Sequence, residues 1–155
     1  MGDITKNLSR HEFACRCGCG SSEPHPVLVI GTQDVVDTCG CKRVTVTSGT
    51  RCEVHHGYLV NMGRAAEGSK HQIWQPSGYS LAADCIFHDV LLSSALSAAR
   101  AHPAFKNGGI GLYLGQVPRL HLDVRDGKAR WGVIDGEKVT LQTALSELLK
   151  REKKS

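Results

Sequence analysis

The clearest alternation of apolar and polar positions runs through Arg119-Leu120-His121-Leu122-Asp123-Val124-Arg125. Successive side chains of a strand point to opposite faces. Leu120, Leu122 and Val124 are therefore expected to face a core, and Arg119, His121, Asp123 and Arg125 the other side. Alternating Val and Thr predict a strand over 42–48, and further strands are predicted over 81–87, 110–114, 129–134 and 138–139. Asp126-Gly127 and Asp135-Gly136 read as hairpin turns. Leu28, Val35, Val36 and Cys39 suit one helical face ended by Gly40, so 27–39 is read as a helix, although Val27-Leu28-Val29-Ile30 alone would suit a strand. A helix over 89–100 carries Leu92, Ala95, Leu96 and Ala99 on one face. Another over 140–150 turns Leu141, Leu145, Leu148 and Leu149 inward. Ser9, three places ahead of Glu12, can cap one helical turn. Residues 15–26 read as loop, and 49–68 as irregular chain or one short helix. Strands and helices mix without a βαβ rhythm, which gives an α+β class in a single domain over 1–155.

Composition changes this picture little. With 155 residues, 41% hydrophobic and 22% charged, the chain can bury a core and is not of disordered type. No apolar run approaches the roughly 20 residues that span a bilayer, and no signal-type stretch follows Met1. The expectation is a chain made in the cytoplasm without membrane insertion. The net charge is +4, and half the excess lies in the last ten residues, which read as a solvated helix end. That is too little clustering to argue for a nucleic-acid partner.

Seven cysteines are many for this length: Cys15, Cys17, Cys19, Cys39, Cys41, Cys52 and Cys85. Cys15-Arg16-Cys17-Gly18-Cys19 and Cys39-Gly40-Cys41 are candidates for a structural zinc site, but a zinc knuckle usually separates its cysteines by two to four residues, not one. Disulfides formed outside the cell and plain reduced thiols are the other readings, with reduced thiols favoured. No catalytic thiol is expected, since neither a partner base nor an electropositive niche can be located for one from the sequence.

The chemistry lies elsewhere. Asp84, among Ala82, Ala83, Cys85 and Ile86, must be paired, hydrogen-bonded or bound to a metal. Taken singly, the features are ordinary: the polar side of 119–125 is the outer face of a half-buried sheet, Asp84 a satisfied carboxylate, and His71 a surface histidine ahead of a flexible-looking 72–79. Taken together, His71, Asp84 and His121 make the three-ligand set of a catalytic zinc, whose fourth position is left to water. Such a water has a pKa of about 7. Asp123, on the same face as His121, is the first candidate to shuttle the proton, or else a partner that orients His121.

Ser69-Lys70-His71, Ala82-Ala83-Asp84, Gly108-Gly109-Ile110-Gly111-Leu112-Tyr113 and His121-Leu122-Asp123-Val124-Arg125, in that order, resemble the zinc D-Ala-D-Ala carboxypeptidase family of peptidoglycan peptidases, in its small single-domain branch. Thr47-Ser48-Gly49-Thr50-Arg51-Cys52 is similar to that family's Ser-Gly-x-Arg segment, and 8–19 resembles the branch's N-terminus, so the likeness covers about 8–131. It implies a Hedgehog/DD-peptidase-like fold, a small antiparallel sheet with flanking helices. It also implies a zinc hydrolase of cell-wall stem peptides, a carboxypeptidase or endopeptidase. The small single domain, the basic tail and the lack of a signal-type stretch suit a monomeric phage or prophage lysis enzyme released by lysis, with a bacterial protein exported by another route as the alternative. By position the ligands are His71, Asp84 and His121. Arg51 holds the substrate's carboxylate or polarises its carbonyl. Ser69, Tyr113 and Arg125 lie on the substrate side, with Arg119 a further cation. A non-catalytic zinc-binding or virion module of the same fold is the alternative.

Three departures bear on this. The twelve residues 72–83 between His71 and Asp84 are twice the family's usual spacing, which leaves His55 and His56 as alternative ligands and makes Trp74, Pro76, Gly78 and Tyr79 a candidate lid. Ser80 stands where the motif has Gly. Pro118 stands where many relatives carry an acid, which moves the base role to Asp123.

Overall fold

The segment with the sharpest alternation becomes a central strand. In the computed structural model, which describes residues 1–74 and 76–155, the strands are β1 (Arg43–Ser48), β2 (Ile73–Trp74), β3 (Tyr79–Ser80), β4 (Ala82–His88), β5 (Gly109–Leu114), β6 (Arg119–Asp123), β7 (Ala129–Ile134) and β8 (Glu137–Val139). The helices are α1 (Pro26–Cys39), α2 (Glu53–Asn61), α3 (Leu92–Ala101), α4 (Pro103–Lys106) and α5 (Leu141–Lys153). The Ser9–Glu12 capping box closes one 3-10 turn, Arg10–Phe13.

The class is α+β, but the sheet is not a small antiparallel one. It has six strands in the order β1-β4-β6-β5-β7-β8, and β5 and β7 run parallel. The cause lies in the segment after β6. Asp126-Gly127 closes no hairpin; the chain passes β5 and pairs on its far side. Arg130 fixes that crossing, its guanidinium donating to the carbonyls of Phe105, Lys106 and Gly108. Asp135-Gly136 does turn β7 into β8, with both residues at positive φ (49° and 88°), as a type I′ turn requires.

Leu120, Leu122, Ile110, Leu112, Ala83 and Cys85 share one sheet face and are fully buried with Leu28, Val35, Val36, Leu96 and Phe105 from the helices. Gly132 lets α5 settle on β7, since a Cβ there would lie 2.5 Å from that of Ala144. Leu141, Ala144 and Leu148 are buried and Leu145 half-buried. Leu149, expected inward, is 42% exposed. Eight positions beyond Leu141 is roughly 80° round the helix, off the buried stripe. No helix among the described residues is long and apolar enough to cross a membrane.

α1 is a helix, as its length suggests. His25 Nδ1 accepts the Val27 N–H, Pro26 takes the first position, and Gly40 ends it at φ 72°, with the Cys41 N–H closing on the Val36 carbonyl. A Cβ on Gly40 would meet nothing within 4 Å, so Gly40→Ala isolates the left-handed backbone cost. That cost is about 1–2 kcal/mol. The expected result is a melting temperature lower by a few degrees, read by circular dichroism, with metal content unchanged.

Candidate metal centre

Asp84 on β4 stands directly opposite His121 on β6 in the antiparallel register, which puts their side chains side by side on the face away from the helices. His71 comes from the connection between β1 and β4. A register shift between Val46 and Ser48 bends the end of β1 and aims the Gly49 carbonyl at His71. The ligand atoms of His71, Asp84 and His121 lie within 4.8 Å of one another. His71 Nε2 is 3.5 Å from Asp84 Oδ2, and His121 Nδ1 is 3.0 Å from Asp84 Oδ1. Tetrahedral zinc with ligands at about 2.05 Å needs neighbouring donors about 3.3 Å apart.

The outer nitrogens of both rings are taken. His71 Nδ1–H donates to the Gly49 carbonyl (2.8 Å), and His121 Nε2–H donates to Asp123 Oδ2 (2.8 Å). Each ring is thereby turned with its other nitrogen toward Asp84, the arrangement in which an outer hydrogen bond orients a metal-binding imidazole. The donor set and its supports fit zinc. Asp84 would be raised by burial, but His71 and then His121 outweigh this and hold it well below the usual carboxylate range. Burial opposes a charged His121, yet Asp123 and Asp84 raise its pKa.

Asp123 is fully buried. Oδ1 accepts from the Gly109 N–H and the Arg125 N–H and Nε; Oδ2 takes the His121 proton and the Arg125 Nη2 pair. A Cβ at position 109 would lie 2.1 Å from Oδ2, and one at 111 would lie 2.5 Å from the Trp131 ring. The glycines of Gly108-Gly109-Ile110-Gly111 are therefore space for this carboxylate and for Trp131. With both oxygens engaged and no surface, Asp123 is placed to orient His121 rather than to carry a proton to a substrate.

Six of the predicted residues, Arg51, Ser69, His71, Tyr113, His121 and Arg125, line one cleft of about 780 Å³, while Asp84 and Asp123 lie behind the two imidazoles and outside the lining. Ser69 Oγ accepts from Arg51 Nη1 (3.3 Å) and from the His71 N–H (3.4 Å), tying the arginine to the ligand loop. Burial lowers the Arg51 pKa, while Asp84, Cys15 and Tyr113 work against that. Burial raises Tyr113, whose hydroxyl accepts from Trp131 Nε1 (3.0 Å). Arg119 lies over the Tyr113 ring and is not part of the lining.

His55 and His56 are not in the cluster; His56 Nε2 meets the Glu67 carbonyl. The long spacing after His71 does no harm because β2 and β3 pair as a hairpin, and the Leu81 N–H returns to the Lys70 carbonyl. The excess residues loop out and rejoin beside His71. Trp74 packs under Lys70 and Tyr79 against His25, and none of the described hairpin residues lines the cleft, so the lid expected of them is not seen; Gln75 lies outside the described residues. Ser80 is buried, its hydroxyl paired with Thr50 and the Glu23 carbonyl.

Sequence reasoning passed over Trp131, whose ring lies 4.9 Å from His121. It also passed over Arg64 and Lys138, which together with Lys70 add positive charge to the lining. A glycine inside a strand often marks a close approach. Gly111 was the one available signal for a bulky neighbour, but naming Trp131 needs the β5–β7 register. Comparison with protein-family models, curated proteins and solved structures finds no match to this chain.

Proposed function

We propose that the chain is a zinc-dependent peptidase of peptidoglycan stem peptides, with a Hedgehog/DD-peptidase-like arrangement, acting as a monomer on the cell wall. The observation that carries this reading is the pair of imidazoles, each anchored at one nitrogen and presenting the other to Asp84. His71, Asp84 and His121 would hold the metal. When bound, zinc supplies a Lewis acid and lowers the pKa of a coordinated water to about 7.

The rest is done by the chain. Arg51, Arg64, Lys70, Arg125 and Lys138 line the cleft, and no carboxylate is among its described lining residues. Such a wall suits a peptide carrying several carboxylates, as stem peptides do. Arg51, held by Ser69, can grip a carboxylate or carbonyl with its planar fork. Tyr113, kept protonated by burial and already accepting from Trp131, has its own proton to give a substrate oxygen. Asp123 positions His121.

Purified protein with zinc is expected to release free amines from sacculi, to stop with a chelator and to resume on adding zinc. No release under any metal condition would sink the peptidase reading. A second reading has one observation in its favour: with Asp123 enclosed, no carboxylate in the lining is placed to move a proton. Cosedimentation with sacculi without amine release supports that binding module instead.

A further inference from the structure

We propose that Cys15, Cys17, Cys19 and Cys52 hold a second, structural zinc ion that ties the N-terminal loop to the start of α2. This stands independently of any peptidase activity.

The four sulfurs lie within 4.8 Å of one another, with Cys15 Sγ 3.4 Å and Cys52 Sγ 3.7 Å from Cys17 Sγ. A tetrahedral zinc with sulfurs at about 2.3 Å has edges of about 3.8 Å. Cys17 approaches two partners almost equally, which one disulfide cannot satisfy and a shared ion can. Cys39 and Cys41 lie apart, bonded to the carbonyls of Val36 and of Arg43 and His88. The fourth ligand is therefore Cys52, far away in sequence.

The one-residue spacing, which argued against zinc, is answered by the backbone. In an extended strand alternate side chains stand about 7 Å apart, too far to share an ion. Here the loop is curled, with Gly18 and Gly20 at φ 84° and 83°, and the Cys15 N–H bonded to the Ser21 carbonyl. Three backbone N–H groups point at sulfur: Ser21 to Cys19 (3.5 Å), Cys52 to Cys15 (3.4 Å) and His55 to Cys52 (3.4 Å). Hydrogen bonds of this kind support metal-bound thiolates. Four sulfurs in a tetrahedron select zinc or iron among common metals.

The consequence reaches the cleft. Cys52 follows Arg51 directly, and the same turn is held by the Thr50 N–H on the Phe13 carbonyl (2.8 Å). The ion would clamp the segment that carries Arg51.

The test is metal content of the full chain purified under reducing conditions, by mass spectrometry of the elements. Cys17→Ser/Cys19→Ser changes two exposed residues and is expected to carry one zinc equivalent fewer than the unaltered chain, while Cys39→Ser carries the same amount. Cobalt-loaded protein should show sulfur-to-metal charge-transfer absorption that the double variant lacks. The difference of one equivalent holds whether or not the histidine centre binds metal, so the two assignments fail separately. Equal zinc in the unaltered chain and the double variant, cobalt without the sulfur band, disulfides among these four in the intact mass, or iron in place of zinc would each overturn the proposal.

Discussion

Asp84→Ala is expected to remove the metal of the histidine centre and with it all measurable hydrolysis of stem peptides. Both imidazoles face this carboxylate, at 3.5 Å and 3.0 Å. Without it two neutral nitrogens remain, too few for a three-ligand site. Metal catalysis contributes several kcal/mol of transition-state stabilisation. The loss in kcat/KM is therefore on the order of a thousandfold or more. Zinc content and amine release are measured together, because the assignment requires both to fall. His55→Ala and His56→Ala serve as controls and should keep metal and turnover. An Asp84→Ala protein with undiminished zinc at a centre separate from the cysteines would place the ion elsewhere.

His71 carries no signal of its own, but the other two of the three candidate ligands, His121 and Asp84, were legible because they sit on two signals that survive without an alignment. One is the alternation in 119–125, which local sterics impose on any strand. The other is a carboxylate in the apolar run 82–86, which cannot be buried without a partner. Both report on one strand at a time. Pairing does not: β7 lies parallel to β5, with Arg130 at its start bonded to the Gly108 carbonyl, and no local pattern at Asp126-Gly127 distinguishes a crossing from a hairpin. Trp131 stayed hidden with that register. Cys52 stayed hidden for the same reason, since its neighbours in space are thirty and more residues away. Asp123 shows the limit most clearly. Its face was correct, but whether that face was a cleft or a wall depended on Gly109 and Arg125 closing over it.

Asp123→Ala is expected to cost on the order of 3–5 kcal/mol, because it leaves buried His121 and part-buried Arg125 without their shared acceptor. For a chain of this size that lowers the melting temperature by on the order of 10 °C. Zinc affinity at the histidine centre should fall about 10–100-fold, the usual effect of losing the group that orients a ligand imidazole. Gly109→Ala tests the same mechanism with Asp123 itself left in place. Its Cβ would lie 2.1 Å from Oδ2, so Asp123 must move and His121 with it. The two substitutions act on one network, and the double variant should lose clearly less than the sum of the two. Asp123→Asn separates positioning from proton transfer. An amide oxygen still accepts the His121 proton but lacks the charge that holds Arg125, so metal affinity and turnover should decline together and only in part. Full metal affinity with turnover abolished would instead make Asp123 the proton carrier, and the enclosed geometry around it would then have to open during the reaction.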